Sequence, residues 1–218
     1  MKILTEIHVQ HVSKIFRIWR AGLKVRVIDD LSLTVSRGES VLLLGPNGSG
    51  KSTLLRMIAT LLMPSEGKIL IYGYNTRRRS RALLNLLGFM PEECKFHIGI
   101  SGLTFLCYLG KLIGIREPKK RATEILDDFG LKKWRNIDTS VYSEGMRQRL
   151  GLCSALLNEP KVLLLDEPYN NLDQEMRMKL KSFLHKYVEN DNIVIAASHN
   201  EEHFTNFREI RFPIEKGE

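Results

Sequence analysis

Apolar and polar residues roughly alternate from Glu6 to Lys14 and again from Val25 to Val35, through Val25, Val27, Leu31, Leu33 and Val35. That period-two pattern predicts two strands of a half-exposed antiparallel sheet, joined through the basic segment Arg17 to Arg26. Arg37-Gly38 then turns the chain into a continuous apolar run, Ser40 to Leu44, expected to be the central strand of a buried sheet. Leu54, Leu55, Ile58 and Leu62 follow at helical spacing, and Pro64-Ser65-Glu66-Gly67 is expected to end that helix. A strand from Lys68 to Tyr72, a helix from about Arg79 to Leu87 and a short strand Gly88-Phe89-Met90 come next.

Between Pro91 and Ser154 the spacing becomes helical: Leu103, Leu106, Leu109, Leu112 and Ile113, then Ala122, Ile125, Leu126 and Phe129. This predicts a mainly helical subdomain, about 91–154, inserted into an α/β core. The core resumes with strand Val162 to Leu165, helix Gln174 to Val188, strand Ile193 to Ala197, helix Glu201 to Phe207 and a last strand Glu209 to Ile214. Strands alternating with helices of about a dozen residues imply a mostly parallel sheet covered on both faces. With no internal repeat, heptad array or low-complexity linker, residues 1–218 read as a single domain.

Composition narrows the class without naming a function. The 218 residues suffice for one sizeable core, and 43% hydrophobic with 27% charged residues is ordinary for a globular protein. The longest apolar runs, Val162 to Leu165 and Ile193 to Ala197, fall far short of the roughly 20 residues that span a bilayer. The N-terminus, MKILTEIHVQHVSK, lacks the apolar core of a secretory signal, so a cytoplasmic location is expected. Cys94, Cys107 and Cys153 are odd in number and widely spaced, which suits free thiols. The net charge of +8 could serve nucleotide, nucleic acid or anionic headgroups. Its densest run, Arg77-Arg78-Arg79-Ser80-Arg81, has no interleaved aromatics and reads as the solvated start of a helix rather than a nucleic-acid site; a surface near an anionic leaflet is the other reading.

Chemistry enters at the end of the Ser40–Leu44 run. Gly45-Pro46-Asn47-Gly48-Ser49-Gly50-Lys51-Ser52, followed by Thr53, fits G-x-x-x-x-G-K-[ST], a phosphate-binding loop between strand and helix. Glycines let a polyphosphate touch backbone N–H groups, and the helix beginning at about Lys51 aims its unsatisfied N–H groups at the same anion. Lys51 supplies a point charge for the phosphates and Ser52 an oxygen for Mg²⁺. Val162 to Leu165 ends in Asp166-Glu167-Pro168, which places Asp166 to hold Mg²⁺ and Glu167 to orient and deprotonate an attacking water.

Tyr142-Ser143-Glu144-Gly145-Met146, continuing Arg147-Gln148-Arg149-Leu150, resembles the LSGGQ signature of ATP-binding cassette (ABC) ATPases, with Ser143 and Gly145 matching and Glu144 and Met146 departing. The other motifs of that family stand in its order. Phe16 resembles the aromatic on which adenine stacks. Gly88-Phe89-Met90-Pro91-Glu92-Glu93 resembles the loop that contacts Mg²⁺ and senses the membrane subunit, with Glu92 where glutamine is usual. Asn170-Asn171-Leu172-Asp173 resembles the segment that communicates across the dimer, where Asp173 matches, and Ser198-His199 resembles the switch histidine. Covering nearly the whole chain, the resemblance is strongest to stand-alone ATPases of ABC-2-type exporters.

The resemblance implies a P-loop NTPase (RecA-like) α/β core and an ATPase that uses ATP and Mg²⁺. It implies a head-to-tail dimer, with itself or with another ABC ATPase, in which Ser143, Glu144, Gly145 and Met146 meet the nucleotide held by the partner's loop. It further implies a separate membrane permease as partner, a peripheral place at the inner face of the cell membrane and no nucleic acid; Pro91 to Leu112 is the candidate docking surface. The chain ends soon after the last predicted strand, so no additional C-terminal domain is expected. Two other classes stand beside this one. A nucleic-acid or ribosome-associated ABC protein would suit the positive charge, and a non-hydrolysing regulatory subunit would suit the altered Glu92, Glu144 and Asn170-Asn171.

Overall fold

The structure, a computed structural model, describes residues 5–18, 22–96 and 99–213. Two sheets share the molecule. The first is antiparallel, β2-β1-β4-β5, built from β1 (Thr5–Ile18), β2 (Leu23–Ser36), β4 (Glu66–Ile71) and β5 (Tyr74–Asn75). The second is parallel, β6-β7-β8-β3-β9, built from β3 (Ser40–Leu44), β6 (Leu87–Met90), β7 (Val162–Asp166), β8 (Ile193–Ser198) and β9 (Arg208–Arg211).

Side-chain alternation in the parallel strands divides the core into two layers. Leu42, Leu44, Leu163, Leu165, Val194 and Ala196 face a cluster that includes the helices α3 (Gly102–Ile113), α4 (Pro118–Asp128), α5 (Glu144–Leu156) and α6 (Gln174–Glu189). Their neighbours Val41, Leu43, Val162, Leu164, Ile193 and Ile195 face α1 (Lys51–Ile58) and the antiparallel sheet. Burial on both faces explains why these strands read as unbroken apolar runs. The remaining helix, α2 (Arg81–Asn85), is capped by Ser80, whose side chain accepts from the Leu83 N–H.

Several expectations change. Ser40–Leu44 is a buried parallel strand, but β8 rather than β3 occupies the middle of the sheet. Much of the basic segment expected to join the first two strands belongs to them instead, since Arg17 pairs with Lys24 and Ile15 with Arg26 in the hairpin register; residues 19–21 lie outside the described residues. Helix α1 stops at Ile58, before Pro64: Leu61 and Leu62 N–H groups both return to the Arg56 carbonyl, and Thr60 adopts φ 63°. Glu201 to Phe207 forms turns and no helix. There the Asn200 side chain accepts from the Glu202 N–H, and Asn206 is left-handed at φ 67°, so local side-chain bonds and a reversal replace the helical ladder. The last strand is β9, starting one residue earlier than expected; Ile214 lies outside the described residues.

Candidate nucleotide-binding and hydrolysis site

The carboxyl ends of β3, β7 and β8 converge on one spot. Gly45 N–H donates to the Ser198 carbonyl (3.2 Å) and Glu167 N–H to the Ala197 carbonyl (2.9 Å), so the loop after β3 and the turn after β7 are both tied to β8. Two glycines in that loop are required by space and conformation. A Cβ on Gly45 would lie 2.3 Å from the Phe212 carbonyl oxygen; Gly50 has φ 107°, and a Cβ there would meet the Val27 carbonyl at 3.1 Å. Gly50 precedes α1 without any side-chain cap, leaving the helix's first N–H groups to a ligand.

Lys51 is 5% exposed, and its ammonium donates to the Gly45 (2.7 Å) and Pro46 (2.9 Å) carbonyls, folding back over the loop. Burial lowers its pKa, opposed by the charges of Glu167, Asp166 and Glu92. Ser52 donates to Asp166 Oδ1 at 3.0 Å. Asp166 is 1% exposed, and its carboxyl pKa is raised first by burial, with the Ser52 hydrogen bond opposing and the Glu92 charge reinforcing. Glu92, itself exposed, is thus brought within electrostatic reach of both groups. Pro46, Asn47 and Gly48 are exposed on the loop, and Thr53 is half-buried in the first turn of α1.

Glu167 is the most constrained side chain of the group. Its backbone is left-handed, φ 47°, a conformation that costs a non-glycine residue about 1 kcal/mol or more. Oε2 accepts from Ser198 Oγ (2.9 Å), Oε1 accepts from the His199 N–H (2.9 Å), and His199 Nδ1 lies 2.9 Å from the same Oε1. On the other side, Gln148 Nε2 in α5 donates to the Glu167 carbonyl (3.0 Å). Sequence reasoning gave Gln148 and Ser198 no role. The signal for Gln148 was a polar side chain on the buried stripe of α5, where it is 3% exposed.

ATP and Mg²⁺ fit these residues. Among the buried side-chain atoms that lack a protein partner are Ser49 Oγ and Asp166 Oδ2, a hydroxyl in the glycine loop and a carboxylate oxygen beside Ser52. The first suits a phosphate oxygen and the second a hard cation, and buried polar atoms of this kind are rarely left unsatisfied.

The remaining candidates lie apart from this cluster or at its edge. Phe16 is 38% exposed on β1 opposite Val25, with the Lys14 ammonium 5.0 Å from its ring centre, on the hairpin whose second strand touches Gly50. Ser143 caps α5 by accepting from the Met146 N–H (3.2 Å), with Glu144 exposed beside it. Met146 is 6% exposed, so its side chain belongs to the core and only its backbone to the helix end. Gly145 packs so closely on the Asn171 carbonyl that a Cβ would lie 2.5 Å away, which locks the start of α5 to the turn before α6. Asp173 caps α6, accepting from the Met176 N–H at 2.8 Å.

Comparison with known proteins agrees with this geometry. Residues 28–170 match the ABC transporter family. The chain is 33% identical over 178 residues to the ABC transporter ATP-binding protein NatA of Bacillus subtilis, covering 80% of this chain and 72% of NatA. It is 35% identical to the bacitracin transport ATP-binding protein BcrA of Enterococcus faecalis over 79% of this chain and 56% of BcrA. The chain therefore spans little more than half the length of some curated relatives. Among solved structures, a dimeric ATP-binding cassette in a post-hydrolysis state bound to ADP and phosphate superimposes with a TM-score of 0.86 at 25% identity, covering 94% of both chains.

Proposed function

Because this chain belongs to the ABC transporter family of ATP-binding proteins, we propose that it is a single ABC ATPase domain, residues 1–218, that hydrolyses ATP with Mg²⁺ and drives a separate membrane permease. The observation that carries the reading is the convergence of a glycine loop, a buried Lys51, the Ser52–Asp166 pair and a Glu167 held by His199 and Ser198 at the ends of three parallel strands. In this reading Gly45 to Thr53 cradle the triphosphate, Lys51 neutralises its charge, and Phe16 stacks on the base. Ser52, Asp166 and Glu92 would hold Mg²⁺, which when bound would draw charge from the phosphate oxygens. Glu167 accepts a proton from the attacking water, and His199 holds that carboxylate in place.

Two copies, or one copy and a homologous ATPase, close head to tail, and the α5 end at Ser143, Glu144 and Gly145 meets the partner's nucleotide; Met146 contributes its backbone, and Asp173 lies at the dimer contact. The dimeric cassette fold at this similarity supports the assembly. Among the described residues no helix is long and apolar enough to cross a membrane. In this reading the separate permease supplies the membrane passage, with Pro91 to Leu112 as its docking surface and the inner face of the membrane as the place of the complex. Phosphate release with Mg-ATP tests the activity. Glu167→Gln should bind ATP, lose at least roughly 10²-fold in turnover and elute as a nucleotide-trapped dimer on size exclusion. Parental turnover in that variant removes Glu167 from the chemistry.

A further inference from the structure

The segment from Gly73 to Arg121 holds ten of the chain's 33 Lys and Arg but three of its 25 Asp and Glu, so less than a quarter of the sequence carries most of the net charge of +8. Folding brings part of that charge to one corner. The Arg81 guanidinium at the start of α2 lies against Gly114, the left-handed residue that ends α3, where a Cβ would sit 2.7 Å from Nη2. One turn earlier, Gly110 packs on Pro118, the first residue of α4, with only 2.8 Å for a Cβ. The start of α2, the end of α3 and the start of α4 therefore meet.

Arg81, Lys111 and Lys119 are exposed on these three elements, Arg78 and Arg79 on the turn that leads into α2, and Arg116 on the link between α3 and α4. Among the described residues none of the six forms an ion pair, whereas their neighbours Lys120 and Arg121 reach Glu117 and Glu159. Aliphatic side chains stand out between the charges: Leu112 is 79% exposed on α3 and Leu84 45% on α2, with Tyr108 63% exposed one turn before Leu112. Single-stranded nucleic acid is gripped by aromatic platforms among cations, but the protruding groups here are mainly leucines. Cations flanking a protruding leucine match the boundary between anionic headgroups and acyl chains.

We propose that this corner, formed by the start of α2, the end of α3 and the start of α4, binds an anionic phospholipid surface directly, in addition to any contact the protein makes with a permease. The cations meet the headgroups, and Leu112 enters the acyl boundary. The contact does not depend on the nucleotide site.

Co-sedimentation of the full chain with vesicles tests it, using phosphatidylcholine alone or an equal mixture with phosphatidylglycerol. The chain should bind the anionic vesicles and not the neutral ones, and release them at about 0.5 M salt, where screening shortens to a few ångströms. Each cation near such a surface is worth about fivefold in partitioning, so R79Q/R116Q/K119Q should bind about 100-fold more weakly and R116Q/K119Q about 25-fold. Both alter exposed side chains outside the permease-docking surface, and unchanged ATP turnover without vesicles certifies their fold and separates this result from the nucleotide reading. Equal binding to both vesicle types, undiminished binding by the folded variants, or tighter binding to a mixed-sequence single-stranded oligonucleotide than to anionic vesicles overturns the proposal.

Discussion

Replacing Gln148 with leucine separates the support of Glu167 from nucleotide binding. The Gln148 amide is 3% exposed and donates to the Glu167 carbonyl at 3.0 Å, and Glu167 itself sits at φ 47°. Leucine nearly preserves the volume, so little cavity forms; what is lost is one hydrogen bond, because the Glu167 carbonyl still accepts from the Asn170 N–H at 3.2 Å. That loss is about 0.5–1.5 kcal/mol. In a chain of 218 residues each kcal/mol moves Tm by about 2–4 °C, so a fall of about 1–6 °C is expected. The backbone turn that aims the carboxylate loses its brace toward α5, so kcat should fall about tenfold, a fraction of the roughly 10²- to 10⁴-fold that a positioned base contributes. KM for ATP should stay within about twofold, because Lys51 bonds within the glycine loop, and that loop is tied to β8 and not to α5. Calorimetry and steady-state phosphate release read the two effects. A Tm within about 1 °C of the parent together with an unchanged kcat refutes the bracing role.

Lys51→Ala removes a buried cation and should weaken binding of a fluorescent ATP analogue about 10- to 100-fold, given about 1.5–3 kcal/mol for charge-assisted hydrogen bonds; undiminished affinity would contradict its phosphate role. Glu92→Gln removes a charge felt at both Lys51 and Asp166, and should raise the Mg²⁺ concentration for half-maximal turnover several-fold, read by titration at saturating ATP. Burial pushes the Cys94 thiol up to about 11, so the folded state holds its proton more tightly than the unfolded chain does. The stability this contributes is present below the ordinary thiol range and is lost as pH rises through it toward 11. Iodoacetamide at pH 8 should therefore leave Cys94 unmodified in the native protein and label it in urea; mass spectrometry showing native labelling at the rate of a free thiol would refute the burial argument.

The amino-acid sequence determined the parts of this protein that are local. The buried strands are legible because a strand covered on both faces must be apolar throughout, and the glycine loop because a polyphosphate cradle forbids side chains. The carboxylates after Leu165 follow from chain order alone. Tertiary structure decided what depends on residues distant in the chain. Strand order is one such matter: Ser40–Leu44 and Ile193–Ser198 carry the same apolar signal, and only the pairing of β8 with both β7 and β3 makes it the middle strand. The end of α1 at Ile58 and the turns at Glu201 to Phe207 are set by backbone reversals and Asn side chains that compete with helix, which periodicity does not register. The supports of Glu167 come from α5 and β8, 19 and 31 residues away along the chain, so no spacing rule reaches them. The gathering of Arg81, Lys111 and Lys119 at one corner likewise needed the close contacts of Gly110 and Gly114, because charge in a sequence has no direction until the chain packs.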